Sequence, residues 1–99
     1  MLVITEVSYL LGTRLGAEAE VRFLGDVASG ALTPLEVDAV DWLRISELVA
    51  RYADLPLGTV DASVVAAAER LGVTTIATFD RRPFGIVRPR HIAAFGLVP

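Results

Sequence analysis

Between Gly72 and Asp80 the chain reads VTTIATF, seven residues of which five are β-branched and none is charged. β-Branched side chains are stiff at χ1 and pack well on a pleated surface, so this run fits a strand better than a helix. It does not alternate between apolar and charged positions, so the strand is buried. Directly before it, VDASVVAAAERLG reads as a helix that Gly58 or Thr59 caps and Gly72 stops. A helix delivered straight into a buried strand constrains the chain to an α/β layer fold with parallel pairing.

The remaining elements follow from periodicity and punctuation. Val3, Val7, Leu10, Leu11 and Leu15 recur near helical spacing, which predicts a helix over residues 2–14 and a break at Gly16. AEAEVRFLGDVASG predicts a second helix ending at Gly30, with Val21, Leu24 and Val27 on one side. ALTPLEV suits a brief edge strand, because Pro34 cannot donate to a ladder. DAVDWLRISELVARYA predicts a third helix, with an apolar stripe of Val40, Leu43, Leu48 and Tyr52 around Trp42. Asp54 to Gly58 and Asp80 to Gly85 read as loops, and IVRP and FGLVP as two short terminal strands. There is no internal repeat, low-complexity tract or linker, so the 99 residues read as one domain.

Composition excludes several classes. Cysteine is absent, which removes disulfide frameworks and thiolate metal sites and suits a reducing, cytoplasmic setting. No apolar run approaches the ~18 residues of a membrane span, and MLVITEVSYLL lacks the basic start and cleavage site of a signal peptide. Hydrophobic residues make up 54% of the chain, a large apolar share for so small a body. That share fits a core shared with a second subunit or a piece of a larger fold. Charge is uneven: all twelve acids lie in residues 1–80, while residues 81–99 carry four arginines and no acid. This basic end reads either as a local anion or nucleic-acid contact or as a set of partners for the acidic body.

Three carboxylates stand alone in apolar sequence. Glu6 has Leu2, Val3, Tyr9 and Leu10 as its helical neighbours. Burial there without a partner costs several kcal/mol, the alternative being an acid at the helix edge that reaches solvent. Asp61 opens a helix of small residues, where the macrodipole alone favours an acid by about 0.3–1 kcal/mol. Asp80 ends the buried strand, the position where α/β folds bind ligands, although a turn aspartate reads the same way. Thr78, two residues earlier on the same side of the strand, is placed to orient Asp80. Carboxylates that converge repel one another unless a divalent cation offsets them, and Mg²⁺ and Mn²⁺ favour such oxygen ligands. Such a site activates water for attack on phosphorus, with Arg81 and Arg82 binding the phosphates. His91 is the single histidine, and nothing places Ser63 or Ser8 beside it for a nucleophilic triad.

VITEVSYLLGTRLG, DLPLGTVDASVVAAAERLG and TTIATFDRRPFGIVRP together resemble the PIN-domain ribonucleases, in particular the VapC-type toxins of toxin–antitoxin pairs. The resemblance covers nearly the whole chain. It implies a PIN-like three-layer fold, a parallel sheet between helices, and Mg²⁺- or Mn²⁺-dependent cleavage of RNA. It places the acidic cluster at Glu6, Asp61 and Asp80, with Thr78 in support and Arg81 and Arg82 on the RNA. It also implies a cognate antitoxin and a homodimer. The family pattern opens with a central strand carrying a further metal-binding aspartate, then a helix. Only four residues precede the VapC-like glutamate helix here, so the expectation is an N-terminally truncated form lacking that first strand and helix. The alternative expectation is a catalytically impaired relative that binds RNA or an antitoxin without cutting.

Overall fold

The structure, a computed structural model, describes residues 14–78 and 80–98. The chain falls into two compact units, residues 1–36 and 37–99. The helix expected over residues 2–14 lies outside the described residues, apart from its last position.

In the first unit, α1 spans Ala17–Ser29. It is bounded as its glycines predict: Gly16 and Gly30 take φ of 91° and 84°, backbone that side-chain-bearing residues rarely adopt. The Gly30 N–H closes the helix on Val27 O. None of its residues is buried. The strand expected in ALTPLEV does not form. Pro34 removes a donor, and a strand exists only by pairing; the described strands pair only with each other.

The second unit holds α2 (Asp41–Arg51), α3 (Thr59–Leu71), β1 (Thr75–Ala77), α4 (Arg81–Ile86) and β2 (Gly96–Val98). α3 packs on α2, and its Ala62, Ala66 and Ala68 are small enough for close approach. Leu48 of α2 and Val65 of α3 are completely buried, each stabilising the fold by about 1.5–3 kcal/mol relative to exposure. Phe84, Val87 and Phe95 close the core from the C-terminal side.

The apolar stripe of α2 is the expected one only in part: Leu48 and Tyr52 face the core, but Val40, Trp42 and Leu43 do not. Leu43 is 72% exposed and Trp42 56%, while Ile45 and Leu48 are buried. The reason lies at the start of the helix. Asp38 Oδ1 accepts the Val40 N–H, and Asp41 Oδ2 reaches back to the Asp38 N–H at 3.1 Å. These two carboxylates brace the turn that leads into the helix. This bracing turns Asp41 inward, and Ile45 and Leu48, four and seven residues on, follow it into the core.

β1 and β2 pair in parallel, Thr75 with Gly96, Ile76 with Leu97 and Ala77 with Val98. The α/β class with parallel pairing is therefore observed. The expected loop after Asp80 is instead the helix α4, and IVRP is not a strand. Asp80 caps α4, and Pro83 sits in its first turn, where a missing N–H costs nothing because those donors lack intrahelical partners. Among the described residues no helix is long and apolar enough to cross a membrane.

Candidate active site

Asp80 stands just beyond the C-terminal end of β1. Its backbone is held by one side chain: Thr78 Oγ1 accepts the Asp80 N–H at 3.1 Å and donates to the Asp80 carbonyl at 3.0 Å. Thr78 thus sets the backbone from which the carboxylate springs. Asp80 Oδ1 accepts the Arg82 N–H at 3.2 Å, and the residue is exposed. Asp80 is therefore both a strand-end carboxylate and a helix cap.

Asp61 lies in the first turn of α3 and is half-buried. Gly58 caps that helix without a side chain, so the macrodipole favours the charge. α3 packs against α4, whose cap is Asp80. Glu6 lies outside the described residues. Among the described residues no three His, Cys, Asp or Glu side chains gather to hold a metal ion. The donor set fits a hard divalent cation in kind, because Asp61 and Asp80 supply only carboxylate oxygens. Arg81 and Arg82 are exposed in the first turn of α4.

Ser63 and His91 are engaged separately. The Ser63 hydroxyl donates to Val60 O at 2.6 Å, within its own helix. His91 Nε2 lies 2.6 Å from Val73 O, an acceptor, so that nitrogen carries the proton. His91 Nδ1 is buried with no hydrogen-bond partner among the described residues, and the ring meets Phe95 edge-on at 5.9 Å.

A lattice of charges between α2, α3 and the C-terminal segment was not visible in the sequence. Arg44 forks onto Glu69 through Nε at 2.7 Å and Nη2 at 2.8 Å. Arg70 Nε binds buried Asp41 at 3.1 Å. Arg90 gives Nη2 to Glu47 at 2.7 Å and its backbone N–H to Glu69 at 2.8 Å. Asp41, Arg44, Glu69, Arg70 and Arg90, with Ala66 and His91, line an open cavity of about 340 Å³. The Arg70 hydrogen bond holds the Asp41 carboxyl below its ordinary range, against the opposing effect of burial. Burial pushes Glu69 up, and the Arg44 and Arg90 bonds more than reverse it, leaving the carboxyl below its ordinary value. The basic end of the chain thus serves in part as partner to the acidic body, through Arg90. Beside that charge asymmetry, the sequence trace of this lattice was the Arg44–Glu47 spacing of three, which brings the two to 3.5 Å.

Comparison with known proteins gives two findings. A family model described as PIN domain matches residues 1–88. Ribonuclease VapC26 of Mycobacterium tuberculosis is 35% identical over 97 residues, an alignment covering 98% of this chain and 72% of that protein.

Proposed function

The chain belongs to the PIN-domain family, and on that premise we propose that it is a metal-dependent endoribonuclease of the VapC toxin type. The observation that carries this reading is the likeness to a ribonuclease along 98% of the chain, including the segments that hold Glu6, Asp61 and Asp80. The reaction is hydrolysis of RNA phosphodiester bonds.

Glu6, Asp61 and Asp80 are the residues that would hold Mg²⁺ or Mn²⁺. A divalent ion bound there supplies an activated water and neutralises charge developing on phosphorus. The chain itself supplies position. β1 carries Asp80 to the edge of the fold, Thr78 fixes its backbone, and the first turn of α3 presents Asp61. Arg81 and Arg82, beside Asp80, bind the phosphates of the RNA. Planar guanidinium groups suit that task because they donate two hydrogen bonds to one phosphate.

The partners in this reading are RNA, a cognate antitoxin protein and a second copy of the chain. The exposed Trp42 and Leu43 are apolar surface of the kind protein interfaces use. The setting is cytoplasmic, consistent with a chain that carries no cysteine.

The test is cleavage of a labelled RNA with Mn²⁺, with and without EDTA, for this chain, for Asp80→Asn, and for a form extended upstream of Met1. Metal-dependent cutting that Asp80→Asn abolishes supports the reading. Equal background nicking by this chain and Asp80→Asn contradicts it and identifies a non-cutting RNA- or antitoxin-binding relative.

A further inference from the structure

We infer that Glu69, on α3, is a positioning residue for Asp80: it tethers the C-terminal segment whose strand holds Thr78, the residue that bonds the Asp80 backbone. The inference rests on the reading above in taking Asp80 as part of the active site.

The connection can be followed bond by bond. Glu69 Oε2 accepts the Arg90 backbone N–H at 2.8 Å. Both of its carboxylate oxygens are gripped by Arg44, at 2.7 and 2.8 Å. The Glu69 side chain is only 10% exposed, so this fork has little freedom. Two neighbouring ties support it: Arg90 Nη2 on Glu47 at 2.7 Å, and His91 Nε2 on Val73 O at 2.6 Å. The segment leaving Arg90 is therefore anchored from α2, from α3 and from the turn between α3 and β1.

That segment then becomes β2. Phe95 enters the core, and Gly96 N–H bonds Thr74 O at 2.9 Å. Val98 O accepts the Thr78 N–H at 2.8 Å. Thr78 in turn holds the Asp80 N–H and carbonyl through Oγ1. β1 and β2 are three residues each. So short a two-stranded pair is marginal alone, and parallel pairing is the weaker kind. Its persistence depends on what holds β2 alongside β1, and of the polar ties near Arg90 the Glu69 bond to the Arg90 backbone is the one made by a nearly buried carboxylate. Removing the Glu69 carboxylate leaves the apolar core intact but takes one of the ties from the start of the segment, so the Thr78 N–H bond to Val98 O opens more often.

The experiment is amide hydrogen exchange at Thr78, referenced to Val65 in the buried middle of α3, together with RNA cleavage kinetics. In Glu69→Ala, Thr78 exchange rises by about tenfold or more while Val65 changes by less than about twofold, the pattern of a local opening. kcat falls and KM holds. Glu69→Gln keeps an oxygen for the Arg90 N–H and restores most of both readouts. If Glu69→Ala does not fold, Glu47→Ala removes the other Arg90 tie from an exposed position and raises Thr78 exchange by about threefold. Unchanged Thr78 exchange in the folded variants overturns the inference, even if Asp80→Asn still abolishes cutting. Faster Thr78 exchange with undiminished cutting overturns it differently: the tether then exists but does not position Asp80, whose own role Asp80→Asn reports separately.

Discussion

Leu43 and Leu48 lie on the same helix, and the sequence pattern assigns both to its apolar stripe. The structure separates them: Leu48 is fully buried and Leu43 is 72% exposed. Truncating Leu48 to alanine removes buried methyl groups at the seam between α2 and α3 and leaves a cavity that the small side chains of α3 cannot fill. Such changes cost about 2–5 kcal/mol. With no exposed surface to lose and alanines on the facing helix, a value of about 3 kcal/mol is expected. In a domain of this size each kcal/mol lowers Tm by about 4–8 °C, so Leu48→Ala should melt at least ~12 °C below the parent. Leu43→Ala removes a side chain mostly in water and replaces it with a better helix former, so its effect stays within about 0.5 kcal/mol. Urea unfolding followed by the fluorescence of Trp42, on the same helix, measures both. A large Leu48 effect with a negligible Leu43 effect is expected. Equal losses, or a greater loss at Leu43, would show that α2 does not bury the face that carries Asp41, Ile45 and Leu48.

Other consequences can be checked directly. Asp80→Asn should leave stability within a few tenths of a kcal/mol, because asparagine caps a helix as well as aspartate does; thermal melting reads this independently of cleavage. Asp41 and Glu69 have folded pKa values below their ordinary 3.8 and 4.5. Their stabilising contribution is therefore complete above those ordinary values and is lost as pH falls through the lowered folded ones. The urea midpoint should stay level from about pH 7 to 5 and then fall, and Asp41→Asn should flatten part of that fall. Glu18→Gln breaks a 4.0 Å contact with Arg22 between largely exposed side chains and removes one first-turn charge of α1, so it should cost no more than about 1 kcal/mol by thermal melting.

Much of the framework was legible because local chemistry punctuates it. Gly30 and Gly72 end helices in the left-handed conformation, as their positions suggest. The β-branched run after Gly72 forms a strand, though only its middle, Thr75–Ala77, is paired, and of those three only Ile76 is buried rather than the whole run as expected. α4 was hidden because Pro83 and Gly85 read as loop residues. An aspartate followed closely by a proline that fits a first turn was the available signal for a helix. The burial of Asp41 was illegible, because its partner Arg70 lies 29 residues away and comes beside it only when α2 and α3 pack. The same holds for Glu69, whose Arg44 is 25 residues distant. At the candidate site, strand-end Asp80 and helix-start Asp61 stand where their sequence contexts put them. What sequence could not give was the route from the charge lattice to Asp80, since that route runs through backbone bonds of β2.

The account stands or falls on whether Asp61 and Asp80, from different elements, serve one metal site. Calorimetric titration of Mn²⁺ into the chain, into Asp61→Asn and into Asp80→Asn tests this without any RNA. The account predicts one saturable site whose affinity drops at least about tenfold with either substitution. Binding that is absent from the parent, or unaltered by either change, would contradict it.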